Sequence, residues 1–161
     1  MSAILELRLA KRSEAEIMAR MSRDFIETGL GWQWRSQRIL HHIRCPDSVV
    51  LAARNPEQLM GFAIMRFRLE EAHLLLLAVD PLCRQRGIGR QLVDWLEKSA
   101  RTAGITTIYL EVRADNQAAR AFYGALGYHD LYLIPGYYQG REPALRMAHD
   151  LRVKPPASPL W

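Results

Sequence analysis

The chain has 161 residues, of which 49% are hydrophobic and 24% charged, with a formal net charge of +5. That length suits one domain around one core, and the longest apolar runs are too short to span a bilayer as a helix. The excess of 22 basic over 17 acidic residues fits an anionic small ligand or a weak attraction to nucleic acid, and it decides between neither. The first residues alternate and then turn charged, unlike a signal peptide. Two cysteines, Cys45 and Cys83, sit in no metal or redox motif. They read as reduced thiols of a cytoplasmic protein.

The segment ILELRLA alternates apolar and polar residues, as a half-buried first strand does. A helix is expected from Ser13, with Ser13 and Glu16 at capping-box spacing and Ile17, Met18 and Met21 as its buried stripe. ETGLGWQW breaks that helix and supplies Trp32 and Trp34, and a second helix is expected over 36–43. SVVLAAR and LMGFAIMRFRL then form a hairpin around the turn NPEQ. AHLLLLAV is apolar on both faces and belongs in the middle of the sheet. Ile88, Leu92, Leu96 and Ala100 recur every fourth residue along a helix that Gly104 ends. TTIYLEV is the next strand, 116–126 a helix closed by Gly127, and YHDLYLI with PALRMAHDL a final strand pair. The order β-α-α-β-β-β-α-β-α-β-β defines a mixed α/β sheet with helices packed on it. The domain is expected over 1–151, followed by a proline-rich tail at 152–161.

The stretch CRQRGIGRQL carries the first chemical signal. A loop that leads from a strand into a helix leaves the helix's first N–H groups unpaired, and the helix dipole adds positive charge there. Gly87 and Gly89 clear side chains from that backbone, and Arg84, Arg86 and Arg90 add phosphate donors. A pyrophosphate fits such a loop; a solvated, basic helix start fits the same letters. No GK[ST] and no GxGxxG is present, so the common nucleotide motifs are excluded.

Arg84-x-x-Gly87-x-Gly89 between a central strand and a helix resembles the acetyl-CoA pyrophosphate loop of the GCN5-related N-acetyltransferase superfamily. LEVRADNQAARAFYGALGYHDL, from Leu110 to Leu131, is similar to the second half of that family, in particular to its ribosomal-protein-alanine N-acetyltransferase branch. GYYQGREPALRMAHDL resembles the closing hairpin of the same branch, and the resemblance spans about Ser48 to Leu151. It implies a central, mostly antiparallel twisted sheet with a splayed parallel pair at the acetyl-CoA site, flanked by about four helices. It also implies acetyl-CoA as cosubstrate and no metal. Leu77, Ala78 and Val79 are expected along the pantetheine arm, with Arg84, Gln85, Arg86, Gly87, Ile88, Gly89 and Arg90 around the pyrophosphate. Asn116, Ala119 and Tyr123 are expected on the second helix of the site, where Asn116 can cap the helix or contact the pantetheine, two roles that coexist in the resembled family.

Transfer from a thioester to an amine needs a neutral amine, a polarised carbonyl and a proton for the departing sulfur. Freeing an α-amino group of its proton at neutral pH costs about 1 kcal/mol, and a lysine costs roughly 4–5 kcal/mol. Glu111 stands mid-strand opposite the face of Ile108, Leu110 and Val112. On the residues alone, a solvated surface charge is the simpler account; the resemblance makes Glu111 the general base. Tyr123, twelve residues on, reads alone as a core aromatic and by resemblance as the acid that protonates the sulfur. Trp32 and Trp34 are either core or a wall of the acceptor site, and the resemblance assigns Tyr137 and Tyr138 to the acceptor peptide. His41, His42, His73, His129 and His149 are scattered and form no metal set.

The expected acceptor is a protein amino-terminus, with a small-molecule amine or a lysine side chain as the alternative. A basic nucleic-acid-binding module and a non-catalytic acetyl-CoA sensor are readings of another class. Nucleic acid is disfavoured because no aromatics interleave with basic residues on a strand, and no membrane partner is expected. A homodimer is left open.

Overall fold

A computed structural model describes residues 5–152. Seven strands, β1 (Glu6–Leu9), β2 (Ser48–Arg54), β3 (Leu59–Phe67), β4 (Glu71–Val79), β5 (Thr107–Arg113), β6 (His129–Tyr138) and β7 (Glu142–Asp150), form one sheet in the order β1-β2-β3-β4-β5-β7-β6. Four α-helices pack on it: α1 (Ala15–Met21), α2 (Ser36–Arg44), α3 (Ile88–Thr102) and α4 (Gln117–Ala125). The tail from residue 153 onward lies outside the described residues. Among them no helix is long and apolar enough to cross a membrane.

Two cores result, one on each face of the sheet. Leu92, Val93, Leu96 and Ala100 of α3 are fully buried against β5 residues Ile108 and Leu110, as the four-residue spacing requires. On the opposite face, Met18 and Ile39 from α1 and α2 bury against Phe62 and Ile64. Each such side chain contributes about 1.5–3 kcal/mol relative to exposure.

β4 changes sides partway along. Ile64 pairs with Leu76 and Met65 with Leu74, so Leu75 is an extra residue in its strand. Such a bulge bends the strand and re-aims the side chains beyond it. Ala72 and Leu74 accordingly face the α3 core, and Leu76 and Ala78 the α1/α2 core.

β4 and β5 are the parallel neighbours, paired only at Glu71↔Thr107, Ala72↔Ile108 and His73↔Tyr109. β5 then continues against β7 up to Arg113, while β4 keeps its partner β3 up to Val79. The sheet therefore parts in its middle, and this slot positions the site.

The start of the first helix differs from the sequence expectation. Ser13 is exposed, and a 3-10 turn over Arg12–Glu14 precedes α1. Glu14 performs the capping: its Oε1 accepts the Lys11 N–H at 2.8 Å. It also binds Arg8 at 2.7 Å and Arg54 at 2.9 Å, pinning the helix start to β1 and β2. Ile17 is 41% exposed, and the buried stripe runs instead through Ala15, Met18, Ala19 and Met21.

Burial pushes the Glu14 carboxyl up, but hydrogen bonds from Arg8, the Lys11 amide and Arg54 outweigh it and hold it at about 2 against an ordinary 4.5. A depressed folded-state value stabilises fully above the unfolded one and is lost as the pH falls through the folded one. The stability gap between wild type and Glu14→Gln should therefore be largest above about 4.5 and close as the pH approaches about 2. Urea unfolding of both proteins across that range measures it, and a pH-independent gap would contradict the assignment.

Candidate active site

A cavity of about 580 Å³ runs along the slot. β4 lines it with Leu74 to Leu77, β5 with Leu110 to Arg113, α4 and its cap with Asn116, Ala119 and Tyr123, and the last hairpin with Tyr137 to Gly140. The segment between α1 and α2 closes it through Phe25, Ile26, Glu27, Leu30, Gln33 and Trp34.

On the α1/α2 face stands Glu111, its side chain 5% exposed. Its Oε1 accepts Arg146 Nη2 at 2.8 Å and the Tyr137 hydroxyl at 3.3 Å, and its Oε2 meets His73 Nε2 at 2.5 Å. Burial pushes the carboxyl up, yet the bonds from His73 and Arg146 bring it below its ordinary value, so it stays ionised at neutral pH. Glu111 pairs with Arg146 across the β5–β7 ladder, which is why the arginine reaches it.

On the α3/α4 side Tyr123 is buried at 7% exposure, edge-on to Phe122 and Tyr128 at 5.0 and 5.6 Å between ring centres. Burial, then the neighbouring Tyr138, raises its phenol above the ordinary value, so it holds its proton. Asn116 caps α4, its Oδ1 accepting the Ala119 N–H at 3.1 Å.

The arginine-glycine loop lies where β4 hands over to α3. Gln85 and Gly87 both adopt positive φ, +64° and +76°, and Gly87 caps α3 with no side-chain hydrogen bond. Left-handed residues alternating with ordinary ones in this way turn N–H groups towards one concavity. Arg84, Gln85, Arg86, Gly87 and Arg90 are exposed around it, and Ile88 is buried as the helix's first core residue. The loop chemistry thus fits a pyrophosphate. Gly89 has a different reason to be small: a Cβ there would lie 3.2 Å from the Phe122 ring, so it lets α3 and α4 approach. Ala78 and Val79 sit at the free end of β4, Ala78 with its side chain in the α1/α2 core and Val79 against Gly61. Cys83 is buried under the loop, and both cysteines are unpaired.

Two predicted acceptor contacts separate. Trp34 is buried and lines the cavity, stacked under Arg38 at 3.7 Å. Trp32 is not among the cavity-lining residues; its Nε1 donates to the carbonyls of Ala19 and Trp34, and Arg23 and Arg35 pack on its ring. Its role is to hold the α1–α2 segment. Tyr137 and Tyr138 both line the cavity.

Four residues escaped the sequence reading. His73 looked like one of five scattered histidines, because the partial pairing that brings it to Glu111 leaves no local trace. Arg146 had a visible signal, a charge set between the apolar pairs Ala144-Leu145 and Met147-Ala148. Glu27 is buried, and its carboxylate accepts the Gln33 N–H at 2.8 Å and the Ser22 hydroxyl at 2.9 Å, shaping the cavity wall. Gln139, at φ +57°, clasps the Gly31 backbone from both sides: Oε1 accepts its N–H at 2.9 Å and Nε2 donates to its carbonyl at 2.8 Å.

The model of the acetyltransferase (GNAT) family matches residues 14–128, and the chain belongs to that family. The ribosomal protein bS18-alanine N-acetyltransferase of Salmonella typhimurium is 42% identical over 95 residues, which are 57% of this chain and 64% of that protein. The chain thus matches a little under two thirds of that relative's length. The crystal structure of the ribosomal-protein-S18-alanine N-acetyltransferase from Escherichia coli superposes with a TM-score of 0.81 at 25% identity, covering 96% of this chain and 99% of that one. Ard1 from Thermoplasma volcanium gives 0.81 at 26% identity, covering 91% and 97%.

Proposed function

We propose that the protein is an acetyl-CoA-dependent N-acetyltransferase acting by direct transfer on a primary amine, and that the amine is a protein amino-terminus. The observation that carries this reading is the parted sheet: one cavity has an ionised Glu111 with His73 on one face and a protonated Tyr123 from the other.

Acetyl-CoA supplies the activated acetyl thioester. The backbone of the loop from Arg84 to Arg90 and its arginines would hold the pyrophosphate. The β4 edge from Leu77 to Val79 and the Asn116 and Ala119 wall would hold the pantetheine. Val79 N–H or a neighbouring amide would polarise the thioester carbonyl. Glu111 and His73 form the proton-accepting end, where the incoming ammonium becomes a nucleophile. Tyr123 Oη donates its proton to the sulfur as it leaves.

The acceptor follows from charge and shape. An α-ammonium gives up its proton at a cost roughly 3–4 kcal/mol below that of lysine, so a base of ordinary strength suffices. Trp34, Tyr137, Tyr138 and Leu30 give the wall an aromatic and apolar side that suits a chain end, beside the polar Glu27, Gln33 and Arg38. The name of the Salmonella relative supplies the first candidate, the alanine terminus of ribosomal protein bS18.

Acetyl-CoA consumption across three probes tests this: an alanine-initiated bS18 peptide, an Nα-blocked lysine peptide and a small diamine. The free α-amine peptide should turn over fastest. Acetylation of the lysine peptide or the diamine alone overturns the amino-terminal acceptor. Turnover of no amine at all overturns the enzyme reading.

A further inference from the structure

We infer that His73 is the group that takes the acceptor's proton, with Glu111 as the fixed carboxylate that orients it. This rests on the acetyltransferase reading above and divides its proton-accepting end into two roles.

The first observation is that Glu111 is already engaged at both oxygens. Arg146 and Tyr137 occupy Oε1, His73 occupies Oε2, and 5% of the side chain is exposed. A carboxylate so bound is a weak proton acceptor, and little of it meets solvent directly. Its depressed pKa agrees with that: burial is outweighed by the His73 and Arg146 hydrogen bonds.

The second observation is the position of His73. Its side chain is 25% exposed, and it borders two cavities, the main one and a second of about 430 Å³. Nε2 is committed to Glu111, and among the described residues nothing hydrogen-bonds Nδ1. His73 thus stands between the cavity assigned to the acceptor and a second opening. The groups facing it come from every packed element. Arg66 is its cross-strand partner on β3 and Arg68 lies just beyond, while Glu71 is on its own strand. Tyr109 and Glu111 come from β5, Tyr132, Tyr137 and Arg146 from the last hairpin, Arg38 from α2 and Glu27 from the segment before it. Among these, Glu111 is the one in hydrogen-bonding contact.

The chemistry is set by the tautomer. Two lone pairs cannot face each other at 2.5 Å, so against an ionised Glu111 the imidazole carries its hydrogen on Nε2 and a lone pair on Nδ1. A buried carboxylate that fixes a histidine's tautomer and offsets the charge of its imidazolium makes that histidine the base. The ammonium N–H bond breaks, its electron pair stays on the nitrogen, and the proton passes to Nδ1 directly or across one water. Glu111 neutralises the imidazolium, and Nδ1 then releases the proton to water in the second cavity. No electron is transferred.

His73→Gln is the sharpest test, because the glutamine amide can still donate to Glu111 but cannot accept a proton. With the alanine-initiated peptide, kcat/KM should fall about a hundredfold or more, with KM for acetyl-CoA unchanged. The acid limb of the kcat/KM–pH profile should disappear. His73→Ala should be similarly slow and regain activity with added imidazole. Wild-type kcat/KM and an intact acid limb in His73→Gln overturn the inference. So does a rate loss that keeps the acid limb and resists imidazole, the signature of a packing role. A wild-type protein that acetylates no amine overturns the parent reading, a result distinct from both.

Discussion

Tyr123→Phe should leave the protein folded and able to bind acetyl-CoA while slowing single-turnover transfer by roughly two to three orders of magnitude, the range of a lost general acid. The phenyl ring is retained, so the edge-on contacts with Phe122 and Tyr128 survive. What disappears is one hydroxyl in a site where burial keeps it protonated. A thiol of ordinary pKa near 8–9 leaves poorly as the bare anion from a low-dielectric cavity, so the donor matters more here than it would in water. Transfer from a thioester with a more acidic leaving thiol should suffer least from the substitution. Wild-type single-turnover rates in Tyr123→Phe would reduce Tyr123 to a packing residue.

The second large effect concerns a residue with no functional group. Gly61 pairs with Val79, and a Cβ at Gly61 would lie 2.9 Å from the Ala78 carbonyl oxygen, 3.3 Å from Val79 Cγ2 and 3.4 Å from Ile88 Cγ2. The first contact is with backbone, which cannot rotate away. Gly61→Val should therefore displace the end of β4 and the first residue of α3 together. Overpacking of this kind costs typically about 1–3 kcal/mol. The same shift moves the strand edge assigned to the pantetheine. Thermal unfolding should fall by several degrees and calorimetric affinity for coenzyme A by about tenfold or more, that is by about 1.4 kcal/mol. Gly61→Ala should show a smaller version of both. Unchanged affinity in a destabilised protein would detach this contact from the donor site.

Periodicity carried most of the fold into view. The four-residue spacing of α3, the two-sided apolar run of β4 and the alternation of β5 are direct images of what each element buries. The bulge at Leu75 was illegible, since LLLL looks the same whether or not one residue is extra. Nor did the sequence mark the π-helical turn over Ser22–Ile26. β6 was expected to stop near Ile134, yet it continues through irregular pairing to Tyr138, because Pro135 and Gly136 interrupt the pattern without ending the strand.

The site divided along the same line. Features that act through local geometry were readable: Asn116 as a cap and the glycine turn that opens α3. Residues whose role depends on distant chain were not. Gly89 was read as room for a ligand, and its packing reason, room for Phe122, was not visible. His73 needs Glu111, 38 positions away, and Arg146 needs the same carboxylate from 35 positions in the other direction. Ser13 lost its capping role to Glu14 because Arg8 and Arg54 converge there.

The clasp between Gln139 and Gly31 joins positions 108 apart in the chain. The proposed donor cradle, by contrast, rests mainly on one continuous run through β4, its loop and α3, with Asn116 and Ala119 as an added wall. On the proposed reading, the two halves of the reaction answer to different parts of the sequence. Exchanging the α1–α2 segment or the hairpin tip would then alter which amine is admitted while the cradle stays as it is. A lineage can acquire a new acceptor by changing two short surface segments that must match each other, and the pair to watch for correlated change is 31 and 139.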